Sequence, residues 1–206
     1  MARIGVVADT HHPEFLERLP ARLFELLRGV DVILHAGDLG GRETLAELSR
    51  LAPVEAVRGD HDASLTDLPR ERVLEVQGRR IALVHGNRSR LLEEPATFIG
   101  AVSLGLWWPS PGLHGWLRRR FPDADAIVYG HTHRPAQDRR NGALIFNPGG
   151  VYQLAPASAR DRLVRNPGWF EWSYLQVARH RLRYPAPSVG LLEVGRQGIE
   201  ARVLPL

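Results

Sequence analysis

Two histidines in the second half of the chain, His131 and His133, are the residues whose spacing most strongly suggests chemistry. They follow the apolar run 126–129, whose β-rich composition and flanking turn residues predict a short buried strand. In an extended chain, residues two apart point the same way, which allows both imidazoles to converge on one point. Because imidazole is the commonest metal ligand, the pair predicts a metal site, although loop histidines without a task are the alternative.

Acidic and histidine side chains follow four other predicted strands in the same way. In α/β folds, ligands bind beyond the carboxyl ends of the strands. Asp and His are also poor core residues unless they are paired or ligated. We therefore expect these side chains to meet the two histidines at a single rim. They are Asp9, His11, Asp38, Asp60, His61, Asp62 and His85, after strands expected at 4–7, 30–35, 53–57 and 80–84.

Strands and helices alternate in the first part of the chain, and hairpin patterns follow later. This order predicts an α/β fold. Apolar spacing predicts helices at about 14–28, 42–51 and 113–120. We expect one domain over residues 1–206, with less regular insertions near 88–122 and 156–182.

Composition limits the chemistry that the chain can perform. It has 206 residues and no cysteine, which excludes disulfides, thiolate metal sites and cysteine nucleophiles. Any metal must be held by His, Asp, Glu or Asn, a set that suits borderline-to-hard divalent ions. The apolar runs are too short to span a membrane, so we expect no membrane partner and a cytoplasmic location. The net charge of +4 fits an anionic substrate without demanding one.

Taken together and in order, the motifs resemble the signature of calcineurin-like metallophosphoesterases, and in particular the small bacterial and archaeal phosphodiesterase branch. The matches are Asp-x-His at 9–11, Gly-Asp at 37–38, Gly-Asp-His-Asp at 59–62, His-Gly at 85–86 and Gly-His-x-His at 130–133. The resemblance implies a two-sheet β-sandwich flanked by helices, with a metal site at the C-terminal ends of the strands. It also implies two ions that share Asp38, one held with Asp9, His11 and His133, the other with Asp60, His85 and His131.

The same resemblance implies a reaction. The ions would be divalent transition metals (Mn, Ni, Fe, Co or Zn), and a hydroxide that bridges them would attack a small phosphate ester, with phosphodiesters expected above monoesters. His61 would be the general acid that protonates the leaving oxygen. Asp62 would orient His61 through its other ring nitrogen, with a turn residue as the alternative. Asp60 departs from the family, which has Asn there, and its charge would tighten metal binding while lowering attraction for an anion.

Two other functions remain open from the sequence. A member of this fold can act as a binding scaffold for partner proteins, although every ligand position here carries a competent side chain. A nuclease acting on DNA or RNA is the second alternative, because arginine-rich segments and stackable tryptophans such as Trp107 and Trp108 permit it. The small net charge and the lack of a long basic stripe do not indicate nucleic-acid binding. Assembly into a homo-oligomer is also left open.

Overall fold

The computed structural model describes residues 1–88, 112–180 and 185–206. The chain divides into two compact units. The first combines residues 1–87, 113–152 and 186–206, and the second includes residues 153–180. The tryptophan pair at 107–108 lies outside the described residues. The single domain expected from the sequence remains a prediction.

One five-stranded sheet of the first unit contains both ends of the chain. Its strands are β1 (Ala2–Val7), β2 (Val32–His35), β3 (Val54–Ala56), β9 (Ser188–Gly195) and β10 (Gly198–Pro205). The strand order is β10-β9-β1-β2-β3. The strands β1, β2 and β3 are parallel, whereas β9 pairs antiparallel with both β1 and β10. The closing hairpin predicted near the end of the chain therefore extends the parallel part of this sheet.

A second five-stranded sheet lies between these segments in the sequence. Its strands are β4 (Glu71–Val76), β5 (Arg79–Val84), β6 (Ala126–Val128), β7 (Ala136–Arg140) and β8 (Ala143–Asn147). The order is β4-β5-β6-β8-β7, with β5, β6 and β8 parallel and an antiparallel strand at each edge. The strand β7 was missed from the sequence because its residues are polar and lack the apolar alternation of a half-buried strand.

Apolar side chains from both sheets form the central core. Ile4 and Val6 of the first sheet belong to the same buried cluster as Leu83 and Val128 of the second. The helices α1 (Ala21–Leu26) and α2 (Arg42–Leu48) cover the other face of the first sheet, and α3 (Leu113–Arg120) covers the second. Burial of this apolar surface is the main force that holds the layers together. The two-sheet sandwich with flanking helices confirms the predicted fold class.

The first helix is much shorter than predicted, and this affects the site. The sequence predicted a helix at 14–28, whereas α1 begins only after Pro20. Proline lacks the backbone N–H that a helix interior needs and disfavours helical geometry in the residue before it. Pro20 accordingly takes an extended conformation as the N-cap, with ψ of 134°. Residues 11–19 are thereby free to form a loop at the end of β1.

The second unit contains two helices in the segment that the sequence left unplaced. They are α4 (Pro156–Val164) and α5 (Trp169–Ala178). Arg162 of α4 donates from Nε to the Glu171 carboxylate of α5 at 3.1 Å, which links the two helices. Among the described residues, no helix has both the length and the apolar character needed to cross a membrane.

Candidate metal centre

Loops from both sheets form one polar rim that carries all the predicted site residues. They follow the carboxyl ends of β1, β2, β3, β5 and β6. Hydrogen bonds tie the loops to one another. The N–H of Asp9 donates to Gly37 O, and the N–H of His131 donates to the Asp9 carboxylate, both at 3.0 Å. The N–H of Gly130 donates to His85 O at 3.0 Å, so the rim is a cross-linked structure.

Five of the predicted ligands have a left-handed backbone conformation. Their φ angles are 51° at Asp9, 45° at His11, 54° at Asp38, 68° at His131 and 53° at His133. Residues other than glycine rarely adopt this conformation, and such strain clusters at functional sites. The chain at these positions is therefore not extended. The convergence of His131 and His133 was expected on the assumption of an extended chain, which the structure does not have there.

The predicted ligands form two neighbouring groups of three. In each group, one ligand atom per residue lies within 4.8 Å of the others. The groups are Asp9, His11 and His133 on one side, and Asp60, His85 and His131 on the other. His131 and His133 thus belong to different groups, and the expectation that both imidazoles converge on one point is wrong.

Asp38 lies between the two groups. Its Oδ2 is 3.6 Å from His11 Nε2 and 3.4 Å from His85 Nε2, and its side chain is buried. The backbone at Gly59 lies close against the Asp38 carboxylate, and a Cβ at Gly59 would be only 2.1 Å from Asp38 Oδ1. Glycine is therefore required at position 59, and a side chain there would displace the central carboxylate.

Three buried polar atoms of the predicted ligands have no hydrogen-bond partner among the described residues, namely Asp9 Oδ2, His11 Nδ1 and His85 Nε2. In Asp9 and His85, the second polar atom of the side chain has a hydrogen-bond partner. Asp9 Oδ1 accepts from the backbone N–H of His131, and His85 Nδ1 lies 2.8 Å from Ala36 O. Unsatisfied buried polar groups are costly, so they indicate a missing partner. Carboxylate oxygens beside imidazole nitrogens fit a divalent cation of the transition series.

The charges of the two buried groups depend strongly on their surroundings. Burial raises the pKa of Asp9 to about 6, against the lowering effect of His85. Burial acts to lower the pKa of His85, but the carboxylates of Asp38 and Asp9 outweigh it and raise that pKa to about 10. Without a cation, His85 therefore carries a proton beside the two carboxylates, and a bound cation would replace that proton.

Asp60 has a more open environment than the other acids of the centre. Its side chain is 48% exposed, and Oδ2 lies 3.4 Å from His131 Nδ1 and 3.9 Å from His85 Nε2. Its Oδ1 accepts a hydrogen bond from Asn87 Nδ2 at 2.6 Å. The hydrogen bond with His131 lowers the pKa of Asp60, so the carboxylate is ionised near neutral pH.

His61 stands beside the metal-ligand groups with a partner that the sequence did not reveal. Its Nδ1 lies 3.2 Å from Glu14 Oε1, and its ring packs edge-on against the His11 ring at 4.7 Å between centroids. The hydrogen bond with Glu14 raises the pKa of His61. Burial acts to raise the pKa of Glu14, but its contacts with both histidines lower it to about 2. Glu14 was hidden by the long predicted helix, and Pro20 was the signal that could have exposed it.

Asp62 has a different set of contacts from the one that we expected. Its carboxylate accepts hydrogen bonds from the N–H groups of Leu39, Gly40 and Gly59 at 2.8–3.1 Å. Among the described contacts, the residue that holds His61 is Glu14 rather than Asp62. The expected orienting role of Asp62 is therefore wrong for this structure, because its side chain turns inward to join the loops after β2 and β3.

Further hydrogen bonds fix the last histidine motif. His133 Nδ1 lies 2.9 Å from Tyr152 O, which leaves Nε2 directed at Asp9, 3.9 Å from its Oδ1. Asn147, at the end of β8, donates from Nδ2 to Gly130 O at 2.7 Å and to Thr132 Oγ1 at 3.1 Å. Such outer contacts set the ring orientation of candidate ligands.

Sequence comparison places these observations in a family. Residues 2–164 match the Calcineurin-like phosphoesterase superfamily domain. A probable metallophosphoesterase of Methanothermobacter thermautotrophicus is 34% identical over 148 residues, which cover 71% of this chain and 75% of that protein. A phosphodiesterase of Methanocaldococcus jannaschii is 24% identical over 165 residues, covering 71% of this chain and 82% of the relative.

Comparison of structures shows the same fold. Vacuolar protein sorting 29 from Cryptosporidium parvum superposes with a TM-score of 0.63 at 20% identity. The match covers 100% of this chain and 97% of that one. At this identity the similarity concerns the arrangement of the chain alone.

Proposed function

Because the chain belongs to the calcineurin-like phosphoesterase superfamily, we propose that it is a dinuclear metal-dependent phosphoesterase that hydrolyses phosphodiesters. The observation that carries the proposal is the position of Asp38, whose Oδ2 lies within 3.6 Å of a histidine of each ligand group. A carboxylate in this position suits a bridge between two cations. The phosphodiester preference is supported by the name of the relative from Methanocaldococcus jannaschii.

The donor set divides into two ligand groups around that carboxylate. One ion would be held by Asp9, His11, Asp38 and His133, and the other by Asp38, Asp60, His85 and His131. When bound, two divalent ions polarise the phosphoryl oxygens and lower the pKa of the attacking water. Three carboxylates and the attacking hydroxide together would neutralise two divalent ions, so the charge of Asp60 would lower the attraction of the cluster for an anionic ester.

His61 is proposed as the general acid. Its Nδ1 is engaged by Glu14, so Nε2 is the atom that gives a proton to the leaving oxygen. The raised pKa of His61 keeps the ring protonated at a pH where it can donate. Its side chain is 42% exposed, which suits contact with a substrate arriving from solvent. Glu14 is proposed to hold the ring in this orientation.

Metal analysis combined with an activity assay tests the proposal. We expect about two equivalents of metal per chain by elemental analysis, with hydrolysis of a chromogenic phosphodiester exceeding that of the matching monoester under Mn²⁺, Ni²⁺, Co²⁺ or Zn²⁺. The variant Asp38→Asn should lose both metal and turnover. Asp123→Asn is the matched control, because Asp123 is an exposed acid paired only loosely with Arg80 at 3.7 Å.

Two outcomes would contradict the proposal. Stoichiometric metal without turnover of any phosphate ester would favour the scaffold alternative. Retention of metal and activity by Asp38→Asn would remove the central carboxylate from the mechanism.

A further inference from the structure

A second polar cleft lies in the first unit between α3 and β7, and none of its lining residues belongs to the candidate metal centre. Its volume is about 840 Å³, which is within the range of small-molecule sites. Four of its lining residues are arginines, two from the helix and two from the strand. The lining residues are Gly115, Arg118, Arg119, Pro122, Asp138, Arg139, Arg140 and Asn141.

The positive charge of this cleft is poorly neutralised. Arg118 donates to Phe121 O at 2.7 Å and to Asn141 O at 3.2 Å, and Arg139 donates to Ile199 O at 2.7 Å. Carbonyl acceptors hold the guanidinium groups in place without cancelling their charge. Because Ile199 belongs to the other sheet, the Arg139 guanidinium lies on the face of β7 opposite α3. The guanidinium groups of Arg118, Arg119 and Arg140 face one lining carboxylate, so the lining carries a positive excess.

The single lining carboxylate is already engaged. Asp138 lies 2.9 Å from His114 Nδ1 and accepts from Arg140 Nε at 2.8 Å. These hydrogen bonds, with Arg140 first and His114 second, lower the pKa of Asp138 to about 2, so it is charged at neutral pH. It offsets part of the charge of Arg140 and leaves the Arg118 and Arg119 guanidinium groups without a carboxylate among the described contacts.

Two guanidinium groups converge above a glycine of α3. A Cβ at Gly115 would lie 3.5 Å from Arg119 Nη1 and 3.9 Å from Arg140 Nη1. Arg119 is exposed and takes part in none of the hydrogen bonds or ion pairs found in the described part of the chain. Asp138 offsets part of the charge of Arg140, whereas no carboxylate offsets that of Arg119 among the described contacts. The pair therefore keeps a positive charge that favours an anion, because arginine matches phosphate oxygens in a bidentate geometry.

Stabilisation of the helix dipole does not account for the whole arrangement. Arg118 and Arg119 lie in the last turn of α3, where basic residues interact favourably with the helix C-terminus. Arg140, however, belongs to an edge strand and lies beside Gly115 of α3 without such a reason. The helix dipole therefore does not explain why an arginine of β7 lies beside the arginines of α3.

We propose that the α3–β7 cleft binds a small polyanion carrying two or more phosphate groups. The volume exceeds what a single phosphate needs, and Arg118 and Arg119 lie on the helix side with Arg140 on the strand side. Among the described residues, the lining has no aromatic side chain on which a nucleic-acid base would stack, so a small phosphorylated molecule is favoured over a single strand. This proposal does not depend on the activity proposed for the metal centre.

Titration with inorganic tripolyphosphate tests the proposal. Calorimetry on the full chain should show a binding event that weakens at least about tenfold in Arg119→Gln/Arg140→Gln, because two charge-assisted contacts are lost. Hydrolysis of the chromogenic phosphodiester should be unchanged, since the cleft is separate from the metal centre. Arg28→Gln is the matched control, an exposed arginine of the segment that covers the opposite face of the sandwich.

The outcome can overturn the proposal in two ways. Equal tripolyphosphate affinity in the wild-type chain and the double variant would exclude the cleft as the binding site. Binding of a short oligothymidylate that the same substitutions weaken, and that tripolyphosphate displaces, would replace the small polyanion by a nucleic-acid strand. The single variant Arg119→Gln, at an exposed side chain, gives an independent reading if the double variant unfolds early.

Discussion

Asp9 and Asp60 are two carboxylates of the same candidate metal centre in opposite environments. Asp9 is fully buried, and burial raises its pKa to about 6. Asp60 is about half exposed, and its hydrogen bond with His131 lowers its pKa. One oxygen of Asp9 has no hydrogen-bond partner in the described residues, whereas both oxygens of Asp60 have neighbours that stabilise the charge.

The difference indicates what each acid requires. A buried carboxylate that lacks partners is costly unless a cation neutralises it. A half-exposed carboxylate with an amide and an imidazole beside it is stable in water without one. We therefore expect the Asp9 side of the centre to depend on a bound ion, and the Asp60 side, which is more open to solvent, to receive the substrate.

The difference between Asp9 and Asp60 is tested most directly by replacing each carboxylate with an amide and measuring the affinity for metal. Asp9→Asn should weaken metal binding by more than about 100-fold, because a short-range charge interaction in a water-poor site is lost. Asp60→Asn should weaken it by about tenfold or less, since exposed charges are screened and the amide oxygen still coordinates. Competition with a chromogenic chelator measures both values. Equal losses would show that burial does not distinguish the two acids.

Removal of the His61 imidazole tests whether this residue, which lies between the Asp60 loop and the buried ligand group, donates the proton to the leaving oxygen. His61 follows Asp60 in the sequence, but its ring packs against His11 of the buried group. We expect His61→Ala to keep its metal and to lose about 10²–10⁴-fold in kcat on esters with poor leaving groups. Esters with good leaving groups should be affected much less. A uniform loss on both kinds of ester would contradict the general-acid role.

Substitution of Asp62 tests whether its buried carboxylate stabilises the loop that carries Asp60. Its buried carboxylate accepts three backbone N–H groups. Asp62→Asn should lower the free energy of unfolding by about 1–3 kcal/mol, because an amide cannot accept all three. Urea denaturation measures this against Asp123→Asn as the control. Unchanged stability with a selective loss of turnover would instead support the role expected from the sequence.

Glu14 is expected to give the smallest of these effects. Glu14→Gln keeps an oxygen near His61 Nδ1 but removes the charge that stabilises the protonated ring. We expect about a tenfold lower kcat on esters with poor leaving groups. The alkaline limb of the pH profile, where His61 loses its proton, should move to lower pH. Glu17→Gln, an exposed acid on the same loop, is the matched control. An unshifted profile would remove Glu14 from the positioning of His61.

The position of the site was predictable because its signal is local. Each ligand candidate follows a short apolar strand, and parallel strands in a sheet present their carboxyl ends at one edge. The left-handed backbone at five of these residues could not be predicted, since it depends on hydrogen bonds between loops distant in the sequence. The placement of His131 and His133 in different groups agrees with the ligand sets that the family resemblance implied, whereas their spacing alone suggested a single point.

The amino-acid sequence by itself determined the alternation of strands and helices, the α/β class and the set of residues at the rim, because these follow from periodicity and from residue chemistry along short stretches. Only the tertiary structure decided that Glu14 holds His61, that Asp62 joins two loops, and that β7 brings Arg140 beside α3. Those contacts reach across 22 to 47 positions of the sequence, and their geometry depends on how the two sheets pack. Local patterns carry no information about such distances.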